Sequence, residues 1–77
     1  MSVTPDAIRL HIADILDVPE GRVGGDAVLT DLVADSFRLV ELAISLQEDY
    51  DVMFSQADMV PLRTVTDLVT LVHSRLP

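Results

Sequence analysis

The segment from about residue 36 to residue 50 repeats apolar side chains every three or four positions, which is the spacing of an α-helix. One apolar stripe comprises Leu39, Leu42, Ala43, Leu46 and Tyr50. A second stripe, displaced around the helix, comprises Phe37, Val40 and Ile44. Because a helix needs only one such stripe to pack against a core, the pattern predicts a buried face and a second apolar face available to a partner.

Helix signals also flank this segment on both sides. The run Thr-Pro-Asp at 4–6 is typical of a helix start, and Pro19 and Gly21 predict that this first helix ends near Asp17. Ser55 begins a capping box for a short helix ended by Pro61, and a second capping box at 64–67 precedes the last helix. The predicted inner face of the last helix comprises Val65, Leu68, Val69, Val72 and Leu76.

Residues 18–35 form a long predicted connection between the first two main helices. A loop of this length in a small domain is expected to be functional or anchored. Its apolar residues Val23, Val28, Leu29 and Leu32 are expected to attach it to the helices. No strand-like alternation appears, so the chain is predicted to be one all-α domain over 1–77, a four-helix bundle with a very short third helix.

Composition excludes several functions. The net charge of −8 disfavours binding to nucleic acid or to an anionic membrane and favours partners with basic docking faces. The sequence has no Cys and no Lys, so it offers no disulfide, thiol nucleophile or Schiff base. The apolar runs are too short for a bilayer span and the first residues lack signal-peptide features, so a cytoplasmic location is expected.

The segment 32–42, Leu-Val-Ala-Asp-Ser-Phe-Arg-Leu-Val-Glu-Leu, resembles the modification site of acyl and peptidyl carrier proteins, in which an Asp-Ser-Leu motif opens the second helix. The resemblance implies that Ser36 receives 4'-phosphopantetheine from coenzyme A through a separate transferase, and that Asp35 is the acid preceding it. It extends over essentially the whole chain, including the helix lengths and the long loop. The plain alternative for Ser36 is an ordinary helix N-cap.

Three residues depart from the family pattern. Phe37 stands where Leu is usual, Val33 where Gly is usual, and Arg38 adds a positive charge to a face that is often acidic. None of them removes the attachment chemistry. They indicate dedicated partners rather than interchange with housekeeping fatty-acid carriers.

The resemblance also implies that the second helix is the recognition surface. Its apolar contacts would be Phe37, Val40 and Ile44, and its acidic contacts Glu41 and Glu48. For Glu48 a simply solvated position is an equal alternative. The implied partners are a phosphopantetheinyl transferase and acyltransferase, ketosynthase or adenylating and ligase enzymes, and a free-standing monomer without catalytic activity of its own is expected.

Several cargo classes are compatible with the sequence. A polyketide or fatty acyl group comes first, with an aminoacyl or peptidyl group as the alternative within the carrier class. An unmodified helical adaptor and a hydrolase using Ser36 are the alternatives from other classes.

Other polar residues suggest no additional site. His11 and His73 are expected to be isolated surface residues, and the acids at 26, 31 and 35 do not match a calcium loop. In the carrier family the short third helix lies beside the second helix, so the resemblance allows Met59 and Leu62 to contact the arm or its cargo. Core packing is the expected role of both.

Overall fold

The computed structural model describes residues 3–33 and 35–76, and for Ser36 it describes the backbone only. It contains α1 (Pro5–Leu16), α2 (Leu29–Leu32), α3 (Ser36–Tyr50), α4 (Gln56–Met59), α5 (Val65–Arg75) and a 3-10 turn at Glu20–Arg22. The described ranges form no strand, which confirms the all-α prediction. None of their helices is long and apolar enough to cross a membrane.

The helix ends lie where the capping signals predict. The Thr4 hydroxyl accepts a hydrogen bond from the Ala7 backbone N–H at 3.1 Å, and α1 ends at Asp17 in the left-handed conformation. Ser55 and Thr64 each complete a reciprocal capping box, with Asp58 and Asp67 respectively. Local sequence is sufficient to place these boundaries because each cap joins residues three positions apart.

The core lies between α1, α3 and α5 and is aliphatic. The side chains with at most 1% of their surface exposed are Ile8, Ile12, Val23, Leu29, Leu42, Leu46, Val65, Leu68 and Val72. They come from all three long helices and from the connection before α3. The inner stripe of α3 therefore packs as predicted, and Leu39 and Tyr50 border this core as half-buried residues.

The connection between α1 and α3 is more ordered than the predicted loop. It contains the 3-10 turn and α2, so the bundle has a fifth, short helix beyond the four predicted. Val23 and Leu29 anchor it in the core as expected. Val28 does not, because it is 40% exposed and instead forms an isolated antiparallel bridge with Thr64 through the backbone.

A set of hydrogen bonds joins this connection to the start of α5. The Leu29 N–H donates to the Arg63 carbonyl at 2.8 Å, and the Thr66 hydroxyl donates to the Gly25 carbonyl at 2.7 Å. A Cβ atom on Gly25 would lie only 2.6 Å from the Thr66 hydroxyl oxygen. A larger residue at position 25 would displace the Thr66 hydroxyl from this hydrogen bond, so glycine suits the close approach of the connection to α5.

Candidate attachment site on α3

The first turn of α3 places Ser36 at a defined helix position. Asp35 is the N-cap residue, with φ −157° and ψ 173°, and its carboxylate oxygen accepts the Arg38 backbone N–H at 3.0 Å. Ser36 is the first helical residue, so the capping role belongs to Asp35 and not to Ser36. The Ser36 side chain, on which the predicted attachment depends, lies outside the described atoms.

The surroundings of this position suit a phosphodiester. The residues on either side of Ser36 are exposed, with Phe37 at 67%. The first backbone N–H groups of a helix have no intrahelical acceptor, and they lie at the positive end of the dipole of a 15-residue helix. A hydroxyl-bearing residue at an exposed, electropositive helix start fits a covalently attached, negatively charged arm.

The outer face of α3 continues from this site along the helix. Val40 is 52% exposed and Ile44 is 49% exposed, so the second apolar stripe is accessible together with Phe37. Glu41 and Glu48 are exposed beside it. The structure therefore brings all five predicted docking residues to one accessible face.

A groove of about 380 Å³ runs between this face and α4. Val40, Ile44 and Met59 contribute apolar lining, and Gln47 contributes an amide. The Gln47 side-chain oxygen accepts the Phe54 backbone N–H at 3.3 Å, which holds the wall of the groove in place.

Met59 and Leu62 have different positions. Leu62 packs against the core, as expected. Met59 lines the groove instead, which corrects the expectation of core packing. The packing of α4 against α3 decides which of these two side chains reaches the core. No local pattern in the sequence predicts that packing.

His11 is not an isolated surface residue. Its Nε2 atom lies 2.6 Å from an Asp49 carboxylate oxygen, and its ring meets the Tyr50 ring edge-on at 5.5 Å between centroids. Burial, and then the Asp49 charge, raise the pKa of Tyr50. The contact links α1 to the end of α3, whereas His73 is exposed. No local sequence pattern indicates the His11–Asp49 contact, because the two residues are 38 positions apart.

The acids at 26, 31 and 35 are exposed. Within ranges 3–33 and 35–76, no three His, Cys, Asp or Glu side chains converge in a way that could hold a metal ion.

Comparison with known proteins identifies the family. Residues 6–72 match the family described as phosphopantetheine attachment site. The chain is 38% identical over 71 residues to the acyl carrier protein of Chlamydia felis, which covers 91% of each chain, and 34% identical over 71 residues to that of Chlamydia caviae, which covers 91% of this chain and 92% of the relative. It is 32% identical over 78 residues to the meromycolate extension acyl carrier protein of Mycobacterium leprae, which covers 95% of this chain and 68% of the relative. The chain therefore belongs to the acyl carrier protein family, whose prosthetic group is 4'-phosphopantetheine.

Proposed function

We propose that this protein carries an acyl intermediate as a thioester on a phosphopantetheine arm attached to Ser36. The observation that carries the proposal is the position of Ser36 as the first residue of α3, directly after the N-cap Asp35. This position leaves the serine free of the capping role. The family match over residues 6–72 supports the same conclusion.

Each residue of the site has a distinct role in this proposal. The Ser36 hydroxyl attacks the phosphorus of coenzyme A that carries the pantetheine and loses its proton to the transferase, and adenosine 3',5'-bisphosphate leaves. Asp35 holds the first turn of α3 through its bond to the Arg38 N–H. The attached arm supplies the thiol that this Cys-free chain lacks. No catalytic step is assigned to the protein itself.

We infer that partner enzymes dock on the outer face of α3. The exposed apolar residues Phe37, Val40 and Ile44 would form the centre of a transient interface. Glu41 and Glu48 would meet basic side chains of the transferase and of the acyltransferase, ketosynthase or ligase that uses the cargo. The net charge of −8 favours such partners, because opposite charge accelerates encounter.

For the cargo, we propose an acyl group of polyketide or other specialised-metabolite biosynthesis. The departures at Phe37 and Arg38 support dedicated partners. The Mycobacterium leprae relative is named for meromycolate extension, which supports the fatty-acyl cargo as an alternative. An aminoacyl or peptidyl cargo is the remaining carrier alternative. A cytoplasmic location and a monomeric state stay predictions.

Intact-mass measurement tests the attachment. The apo protein is incubated with coenzyme A and a broad-specificity phosphopantetheinyl transferase, and a known carrier is treated in parallel. We expect one phosphopantetheine increment in the wild type and none in Ser36→Ala. No increment in the wild type, under conditions that modify the known carrier, would exclude the carrier function and favour the unmodified adaptor.

Charge reversal tests the docking face. Glu41→Arg should lower kcat/KM for the transferase, chiefly through slower association, and the difference from wild type should shrink as salt is added. Asp14→Arg, an exposed reversal on α1, is the matched control for net charge. If both variants lost the same factor, overall charge rather than the α3 face would govern the encounter.

A further inference from the structure

We propose that Arg38 pairs with the phosphodiester that links the arm to Ser36 and thereby positions the first part of the arm against α3. The inference rests on the proposed attachment at Ser36. Arg38 is a positioning residue, because it acts on the tether and not on the thioester.

The first turn of α3 has an unusual charge for a helix of this protein. Four helices have an acid in their first turn, namely α1, α2, α4 and α5, with Asp6, Asp31, Asp58 and Asp67. The first turn of α3 has none. Its third position holds Arg38, whereas the third positions of α4 and α5 hold the aspartates that complete their capping boxes.

A cation at this position is electrostatically unfavourable in the unmodified protein. The helix dipole is positive at its N-terminal end, so acids stabilise a first turn and bases destabilise it. The Asp35 carboxylate, as the N-cap, offsets part of the positive charge at this helix end. A phosphodiester on Ser36 would add a second negative charge there. Arginine at position 38 would therefore be unfavourable without the arm and favourable with it.

The Arg38 guanidinium is available for this contact. The side chain is exposed and borders a cleft of about 210 Å³ between α3 and the end of α1. Within residues 3–33 and 35–76, the recorded ion pairs of arginine are Arg9 with Asp6 and Arg75 with Asp58, and Arg38 is in neither. The Asp35 carboxylate is engaged with the Arg38 backbone rather than with its side chain.

Reach and chemistry also favour the pairing. Long side chains on a helix lean toward its N-terminal end, and Arg38 is only two residues beyond Ser36. Positions two apart on a helix do not share a face, so a side chain as long as that of arginine is needed to bring the charge back to the helix start. A guanidinium binds phosphate oxygens through two parallel hydrogen bonds, which fixes orientation as well as proximity.

Nuclear magnetic resonance of the apo and holo proteins tests the pairing directly. On conversion to the holo form, the Nε–Hε signal of Arg38 should shift, while that of Arg22 should not. Arg22 lies on the exposed 3-10 turn and serves as the matched control. In holo Arg38→Gln the ³¹P signal of the phosphodiester should move away from its wild-type position, and in holo Arg22→Gln it should not.

Thermal unfolding gives a second readout that does not depend on any partner enzyme. The change in Tm on attaching the arm should be less favourable in Arg38→Gln than in the wild type and in Arg22→Gln, and added salt should narrow that gap. Equal apo-to-holo changes in all three proteins, with no shift of the Arg38 signal, would overturn the pairing while leaving the attachment intact. Absence of the mass increment would overturn both.

Discussion

At the residue scale, the assignment at Ser36 depends on which neighbour caps the helix. Because Asp35 accepts the N–H of the third helical residue, Ser36 is not needed to begin α3. A serine without a capping role at an exposed helix start is available for modification. Asp35 therefore has the structural role of capping α3. From the sequence alone, either Asp35 or Ser36 could be the cap.

The cap predicts different effects for two substitutions of Asp35. Asp35→Ala removes the side-chain acceptor and should lower the free energy of unfolding by about 0.5–2 kcal/mol. Asp35→Asn retains an acceptor oxygen and should remain close to wild type. Urea unfolding followed by circular dichroism measures both, and equal stability of the alanine and asparagine variants would show that the cap contributes nothing.

At the element scale, α3 separates stability from recognition by its two apolar faces. Leu46 is fully buried, whereas Ile44 is 49% exposed although it is only two residues away. The inner face packs between α1 and α5, and the outer face has no described neighbour covering it except along the groove with α4. One helix can therefore hold the core together and offer an apolar surface to partners.

Alanine substitutions on the two faces should separate these roles. Leu46→Ala leaves a cavity in the core and should cost about 2–5 kcal/mol of unfolding free energy. Ile44→Ala should change stability by no more than about 0.5 kcal/mol, since surface substitutions have small effects. It should nonetheless raise the KM of the transferase. Chemical denaturation and loading kinetics measure the two effects, and a loss of stability in Ile44→Ala comparable to that of Leu46→Ala would contradict the separation.

The capping boxes predict an acid-sensitive contribution to stability. Hydrogen bonds from the Thr64 and Arg63 backbone N–H groups hold the pKa of Asp67 below its ordinary value. A lowered folded-state pKa means that the stabilisation is present above the unfolded-state pKa of about 3.9 and is lost as pH falls through the folded-state value.

Asp67→Asn isolates that contribution, because the amide keeps an acceptor oxygen but does not titrate. The stability advantage of wild type over Asp67→Asn should shrink as pH falls below about 3.9. Thermal unfolding of both proteins between neutral pH and strong acid measures the difference. A constant difference across this range would show that the Asp67 charge does not support the cap.

At the scale of the whole molecule, burial of a small aliphatic core must offset the electrostatic repulsion among the acidic side chains of the surface. The described structure contains few compensating ion pairs, and the two that involve arginine are local or partly exposed. Such pairs each contribute little. Uncompensated charge therefore opposes folding at low ionic strength while it favours encounter with basic partners.

Salt should therefore stabilise the free protein. Raising the salt concentration from about 0.01 M to about 0.15 M shortens the Debye length from about 30 Å to about 8 Å and screens the repulsion. We expect Tm to rise over this range in both NaCl and KCl. A falling Tm would indicate that attractive charge pairs outweigh repulsion in the folded state.

The sequence by itself determined the boundaries of the four predicted helices and the two faces of α3. These features depend on residues three or four positions apart, such as Thr64 with Asp67, and local hydrogen bonding and periodicity are sufficient to specify them. The proposed attachment at Ser36 also comes from local sequence, because the motif around this residue is continuous in the chain.

The tertiary structure alone decided which distant residues meet. Three such features are the His11–Asp49 contact, the Thr66–Gly25 hydrogen bond and the position of Met59 in the groove. Each joins segments that are distant in the chain and whose local sequence does not predict the contact. Such contacts depend on how the helices pack around the whole core, and many pairings satisfy the same periodic pattern. The physical reason is that periodicity specifies which face of a helix is buried, whereas only the assembled bundle specifies what that face and its edges touch.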